Sequence, residues 1–113
     1  MTISEILLKP KGLESENEAL RAGIEMYSKL LPGSPVLDRM RADLKRNEEE
    51  INAIQSWIEG VPDEFIKRAI RQYQKCADWS QVNAAVYGYP SYHTCRSAVL
   101  RYLKKNGFEE RFQ

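Results

Sequence analysis

The sequence predicts an all-α fold: an N-terminal helical hairpin of coiled-coil type followed by a three-helix, helix-turn-helix domain. Three observations lead there. Apolar residues recur at three- and four-residue steps through two long segments of the first half. Those segments are separated by Leu31-Pro32-Gly33-Ser34-Pro35, a run of helix breakers. Residues 78–105 then read as two short helices about a tight turn, the second of them basic. With 113 residues and 42% apolar content, the chain suffices for one compact domain, or for a small domain carrying a helical extension.

Residues 1–12 contain little helical period and end in Lys9-Pro10-Lys11-Gly12, so they are expected to form a flexible arm. In the next segment Leu20, Ile24, Tyr27 and Leu31 fall on one stripe of a helix that runs to about Leu31. After the Pro-Gly break, Leu37, Met40, Leu44, Asn47, Ile51, Ile54 and Ile58 keep heptad spacing and define a single seam. Asn47 is the one polar member. A buried Asn costs stability unless its amide is paired, and it often sets register or oligomeric state. The short connection makes the two helices an antiparallel hairpin over residues 13–60. The second stripe is longer than the first can cover, so part of it should meet the C-terminal domain or another protomer, and a homodimer through the N-terminal helices is compatible with it.

Residues 61–113 form the expected third part. Gly60 ends the long helix, and Val61-Pro62-Asp63-Glu64 opens the next with proline and two carboxylates at its start. Phe65, Ile66, Ala69, Ile70 and Tyr73 supply its apolar side. Asp78 is placed to cap a short helix whose Trp79, Val82, Ala85 and Val86 share one face. Tyr87-Gly88-Tyr89-Pro90 reads as the turn, Ser91 as the cap of the last long helix, and Asn106-Gly107 as its stop.

Charge narrows the function. Positions 1–61 hold 8 Lys+Arg against 11 Asp+Glu, whereas positions 62–113 hold 9 against 5. Between positions 78 and 109 there is no acidic residue, while Arg96, Arg101, Lys104 and Lys105 all lie in that window. A surface of this kind suits phosphate. At about 100° per residue, Cys95, Ala98, Val99 and Tyr102 cluster inward with Tyr92 and Leu103 at the margin. His93, Ser97 and Lys104, flanked by Arg96, Leu100 and Arg101, point the other way. Ala84, Ala85 and Ala98 are small enough to let the two helices cross closely. Groove docking then assigns Tyr92, His93, Thr94, Arg96 and Ser97 to bases or nearby phosphates, and Arg101, Lys104 and Lys105 to the backbone. Tyr92 has a quieter alternative, packing on Tyr87 or Tyr89. Leu100 either meets a thymine methyl or packs on another element.

Other chemistry finds no support in the spacing of residues. Cys76 and Cys95 match neither a redox pair nor a zinc set and read as free buried thiols, and His93 is the only histidine. There is no glycine-rich phosphate loop, and Glu48, Glu49 and Glu50 are consecutive, so they cannot converge. The chain reads as non-enzymatic, without metal or cofactor. Apolar runs such as Ile6-Leu7-Leu8 fall far short of the ~20 residues that cross a bilayer. Residues 1–10 lack the basic start and apolar middle of an export signal, so a cytoplasmic location is expected.

Trp79-x-x-Val82 with Ala84-Ala85, the turn before Ser91, and Arg96-x-Ala98-Val99-x-Arg101-Tyr102-Leu103 resemble the helix-turn-helix of sigma-factor region 4, especially its small phage-encoded relatives. Ile70-Arg71-Gln72-Tyr73 stands where those proteins carry an aromatic segment, and the charged helix ahead of it is also similar; the likeness covers residues 51–105. The resemblance implies a phage or prophage transcriptional regulator that binds double-stranded promoter DNA and contacts RNA polymerase, with residues 79–86 as supporting helix and 92–105 as recognition helix. The chain departs from the pattern at Asn83 and in its bulky Tyr-Gly-Tyr-Pro turn. A helical interaction factor for phage assembly or polymerase binding, without DNA contact, is the alternative.

Overall fold

The computed structural model describes residues 1–113 as six helices and no strand: α1 Ile3–Leu30, α2 Pro35–Glu59, α3 Glu64–Cys76, α4 Trp79–Tyr87, α5 Thr94–Lys105 and α6 Phe108–Phe112. The chain divides into two compact units, one formed by Lys9–Gln55 and the other by Met1–Leu8 together with Ser56–Gln113. No helix is long and apolar enough to cross a membrane.

The first unit is a helical hairpin that covers Lys9–Gln55, where the sequence predicts residues 13–60. Leu37, Asn47, Ile51 and Ile54 are buried and Met40 and Leu44 half-buried, so the α2 seam faces inward along its length. Leu20, Ile24 and Tyr27 of α1 are half-buried, but Leu31 lies beyond the helix end and is 56% exposed. Gly23 permits a close approach: a Cβ there would stand 2.9 Å from Met40 Cε. Asn47 has a partner. Its Nδ2 donates to Asn17 Oδ1 at 3.0 Å, and both side chains are buried. The pair fixes the register of α1 against α2, because sliding either helix would leave two buried amides unsatisfied. Lys9–Glu50 and Arg21–Glu48 also join the two helices. Arg21–Glu48 is exposed and of a kind that adds little, typically about 0–1 kcal/mol, whereas Lys9–Glu50 is half-buried.

The second unit corrects the reading of residues 1–12 as a flexible arm. Thr2 and Glu5 form a capping box: Glu5 N donates to Thr2 Oγ1 at 3.1 Å, and Thr2 N donates to Glu5 Oε1 at 3.5 Å. The helix they open continues through Pro10 and Gly12, while Ile3, Ile6 and Leu7 are buried. An interior proline costs about 3 kcal/mol and a glycine about 1. Full burial of an aliphatic side chain returns roughly 1.5–3 kcal/mol, and three are buried here, so the packing outweighs the breakers. Gln74 Nε2 donates to the Leu7 carbonyl at 3.1 Å and Gln113 Nε2 to the Met1 carbonyl at 3.0 Å, which ties this turn down at both ends.

Around it, α3, α4 and α5 pack on one another. Asp63 caps α3 by accepting from Ile66 N at 3.1 Å, and Asp78 caps α4 by accepting from Ser80 N at 2.9 Å. Arg71 and Lys67 reach back to Glu59 at 3.0 and 3.8 Å, and hold its carboxyl below the usual range. The stop at Asn106-Gly107 is present, with Gly107 at φ 76°, but the chain resumes as α6. Phe108 is the reason. It is fully buried, with its ring 4.8 Å from Trp57 and 5.0 Å from Phe112.

Replacing Asn47 alone with Leu strands Asn17 Oδ1 in the interior and is expected to destabilise the chain by about 1–3 kcal/mol in urea unfolding. Replacing Asn17 and Asn47 together with Leu should recover most of that loss. An additive double mutant would show that the two amides are not coupled.

Candidate nucleic-acid interface

The basic helix is placed by Asn83. This side chain, fully buried in α4, donates from Nδ2 to the Tyr89 carbonyl at 2.9 Å and accepts at Oδ1 from Cys95 N at 3.1 Å. It therefore fastens the connection between α4 and α5 and satisfies an amide in the first turn of α5, the work of a helix cap done from another helix. Ser91 is consequently not the cap: its Oγ lies 3.2 Å from Thr94 Oγ1, and α5 begins at Thr94 after His93, which makes no side-chain capping bond. Tyr92 and His93 stand in the connection and not on the helix. The connection, residues 88–93, is longer than the tight turn expected, since the residue before Pro90 is held out of helical conformation.

The burial pattern also rolls both helices away from their expected faces. In α4 the inward residues are Trp79, Val82 and Asn83, with Val86 half-buried; Ala85 is exposed and makes no close crossing. In α5 the fully buried stripe is Cys95, Val99 and Leu103, while Ala98 and Tyr102 are only half-buried. Leu103 is thus central to the core, not marginal. Thr94, Ser97, Arg101, Lys104 and Lys105 form the exposed strip, and Arg96 and Leu100 are half-buried beside it.

Of the eight candidate contacts, all but Arg96 are exposed. None of Arg96, Arg101, Lys104 and Lys105 forms an ion pair with the chain's own carboxylates. Their charge is available to an outside anion. Tyr92 is 53% exposed; its neighbours are the His93 ring at 5.1 Å and the Arg96 guanidinium at 5.5 Å, not Tyr87 or Tyr89. Tyr87 packs instead against Phe65 at 5.5 Å and Tyr89 at 6.1 Å.

Leu100 is half-buried at the edge of a cleft. Together with Arg96, Arg101 and Lys104 it lines an open cleft of about 930 Å³ whose facing wall is Met1–Glu5 at the start of α1. Trp79 also lines this cleft, its ring stacked on Tyr73 at 4.0 Å. Its Nε1 is buried without an acceptor in the protein. Residues 1–5 were invisible as site residues from composition alone, though Thr2-x-x-Glu5 is a readable helix start. Asn83 was visible only as a departure from a pattern.

No family model, curated protein or solved structure matches this chain. The likeness to sigma-factor region 4 thus rests on the quoted residues alone. No three His, Cys, Asp or Glu residues come together as a ligand group. Both cysteines are free, Cys76 half-buried and Cys95 buried, and burial pushes the Cys95 thiol up.

Two outcomes test this geometry. Asn83→Ala removes both bonds of the clamp and is expected to cost about 2 kcal/mol in thermal or urea unfolding, with faster hydrogen exchange at the Cys95 amide. A thiol reagent should titrate Cys76 in the native protein and reach Cys95 only on unfolding. Equal native rates for the two thiols would contradict the burial assigned to Cys95.

Proposed function

We propose that this protein is a non-enzymatic, sequence-selective DNA-binding protein of the transcription-regulator type, with α5 as the element that enters the major groove. The observation that carries the proposal is the exposed strip Thr94, Ser97, Arg101, Lys104 and Lys105, whose cations have no partner in the chain. An uncompensated cationic helix face is electrostatically costly unless an anion offsets it, and the phosphate backbone supplies anions at regular spacing. Thr94 and Ser97 lie toward the N-terminal end, where groove docking brings side chains nearest to base edges; Arg101, Lys104 and Lys105 lie where phosphates run. The assignment of α4 and α5 to supporting and recognition helices, and of the protein to phage-type sigma-like regulators that also touch RNA polymerase, belongs to the same proposal.

One observation favours a second reading, a helical interaction factor that does not use DNA. At the turn of the hairpin, Met26, Leu30, Leu31 and Val36 are 51, 70, 56 and 38% exposed. Clustered exposed apolar side chains mark protein contact more often than they occur by chance.

Fluorescence anisotropy with a mixed-sequence duplex at low and moderate salt separates the two. The DNA-binding reading expects salt-linked retention, with Arg101→Ala/Lys104→Ala weakening it and reducing the slope of log affinity against log salt by about 1–2. Unchanged affinity and slope in that variant would remove α5 from the interface, and no retention at either salt would leave the second reading.

A further inference from the structure

The cleft beside α5 is built unlike the rest of the cationic face. Its α5 wall carries Arg96, Arg101 and Lys104 with Leu100 between them, and the exposed Tyr92 ring lies beside Arg96. The opposite wall, from the first turn of α1, carries the hydroxyls of Thr2 and Ser4 and the carboxylate of Glu5. We infer that this cleft receives an unpaired nucleotide, so that the protein favours DNA whose bases are locally opened over an intact duplex. The inference rests on the DNA-binding proposal above and names the form of DNA that the site takes.

Three features argue for it. The cleft, about 930 Å³, is of the size that holds a whole organic ligand, and it is far larger than a phosphate requires. Its residues divide by chemistry: an aromatic ring and an aliphatic side chain for a base face, cations on one side for the attached phosphate, and on the other the Ser4 hydroxyl and the Glu5 carboxylate as acceptors for base N–H groups, the Thr2 hydroxyl being held by Glu5. Finally, the side-chain cations all come from α5, while Glu5 and Glu109 bring carboxylates to the lining. On this flank of α5 a second line of phosphates would meet Glu5, so the cleft suits the one line of phosphates of a single strand, while the open strip of α5 stays the face that meets a duplex.

Tyr92 occupies a well-defined position for this role. It lies in the connection that Asn83 holds at both ends, at the Tyr89 carbonyl and at the Cys95 amide, while its own ring stays open to solvent. A preorganised exposed aromatic loses little freedom when a base stacks on it.

The test compares three fluorescein-labelled probes by anisotropy on the full chain: an oligothymidylate, a mixed-sequence duplex of equal length, and that duplex with a central unpaired stretch. The expected result is about tenfold tighter binding of the opened duplex and the single strand than of the intact duplex, with Tyr92→Ala removing most of that preference and Tyr92→Phe retaining it. Tyr92 is exposed, so both variants should fold, which circular dichroism is to check. Equal or tighter binding of the intact duplex, or a uniform loss on all three probes in Tyr92→Ala, overturns the inference while leaving the DNA-binding proposal standing. Failure to retain any probe at low salt overturns both.

Discussion

A single buried amide decides how the cationic helix is presented. Asn83 reaches from α4 to the Tyr89 carbonyl on one side and the Cys95 amide on the other. Without it, the buried N–H of Cys95 at the start of the helix would need another partner, and neither Ser91 nor His93 provides one. Because the clamp is made from α4, the start of α5 is set relative to α4 and not by the local turn sequence. The roll of α5 follows, with Cys95, Val99 and Leu103 inward, and the roll in turn chooses which cations face water.

The start of the chain shows how packing outweighs local preference. Lys9-Pro10-Lys11-Gly12 would end an isolated helix, yet α1 runs through it. Ile3, Ile6 and Leu7 find a core in the C-terminal unit, and two glutamine side chains, Gln74 and Gln113, meet the carbonyls of Leu7 and Met1. This placement turns one flank of α5 into the wall of an open cleft, with Leu100 and Arg96 lining it. The same helix thus offers an exposed cationic strip and, beside it, a mixed polar and apolar surface.

In the hairpin, specificity and stability are supplied by different residues. The aliphatic seam of α2 provides the burial, but aliphatic side chains tolerate a shift of one turn. The Asn17–Asn47 pair does not, because a shift would leave two amides in a dry environment. Asn17 Nδ2 has no further partner, so the pair is costly, which fits a register device better than a source of stability. The apolar residues left at the hairpin turn, beyond the reach of the seam, are its exposed remainder.

The all-α class, the break at Leu31–Ser34, the α2 seam from Leu37 onward, the caps Asp63 and Asp78 and the stop at Gly107 are all legible in the sequence, because each rests on interactions within a few residues or on strict periodicity. The acid-free window from position 78 to 109, and with it the candidate cations, is likewise a property of the chain. What the tertiary structure alone decided is where those side chains stand: the helix through Pro10, the partner of Asn47, the clamp of Asn83, the roll of α5, the cleft around Leu100 and the burial of Phe108 in α6. Each depends on contacts between residues distant in the chain. Local propensity is worth about 1 kcal/mol per ordinary residue and about 3 for an interior proline, and several buried side chains or a satisfied buried amide together are worth as much or more. Where the two disagree, as at Pro10 and Ser91, the distant contact prevails.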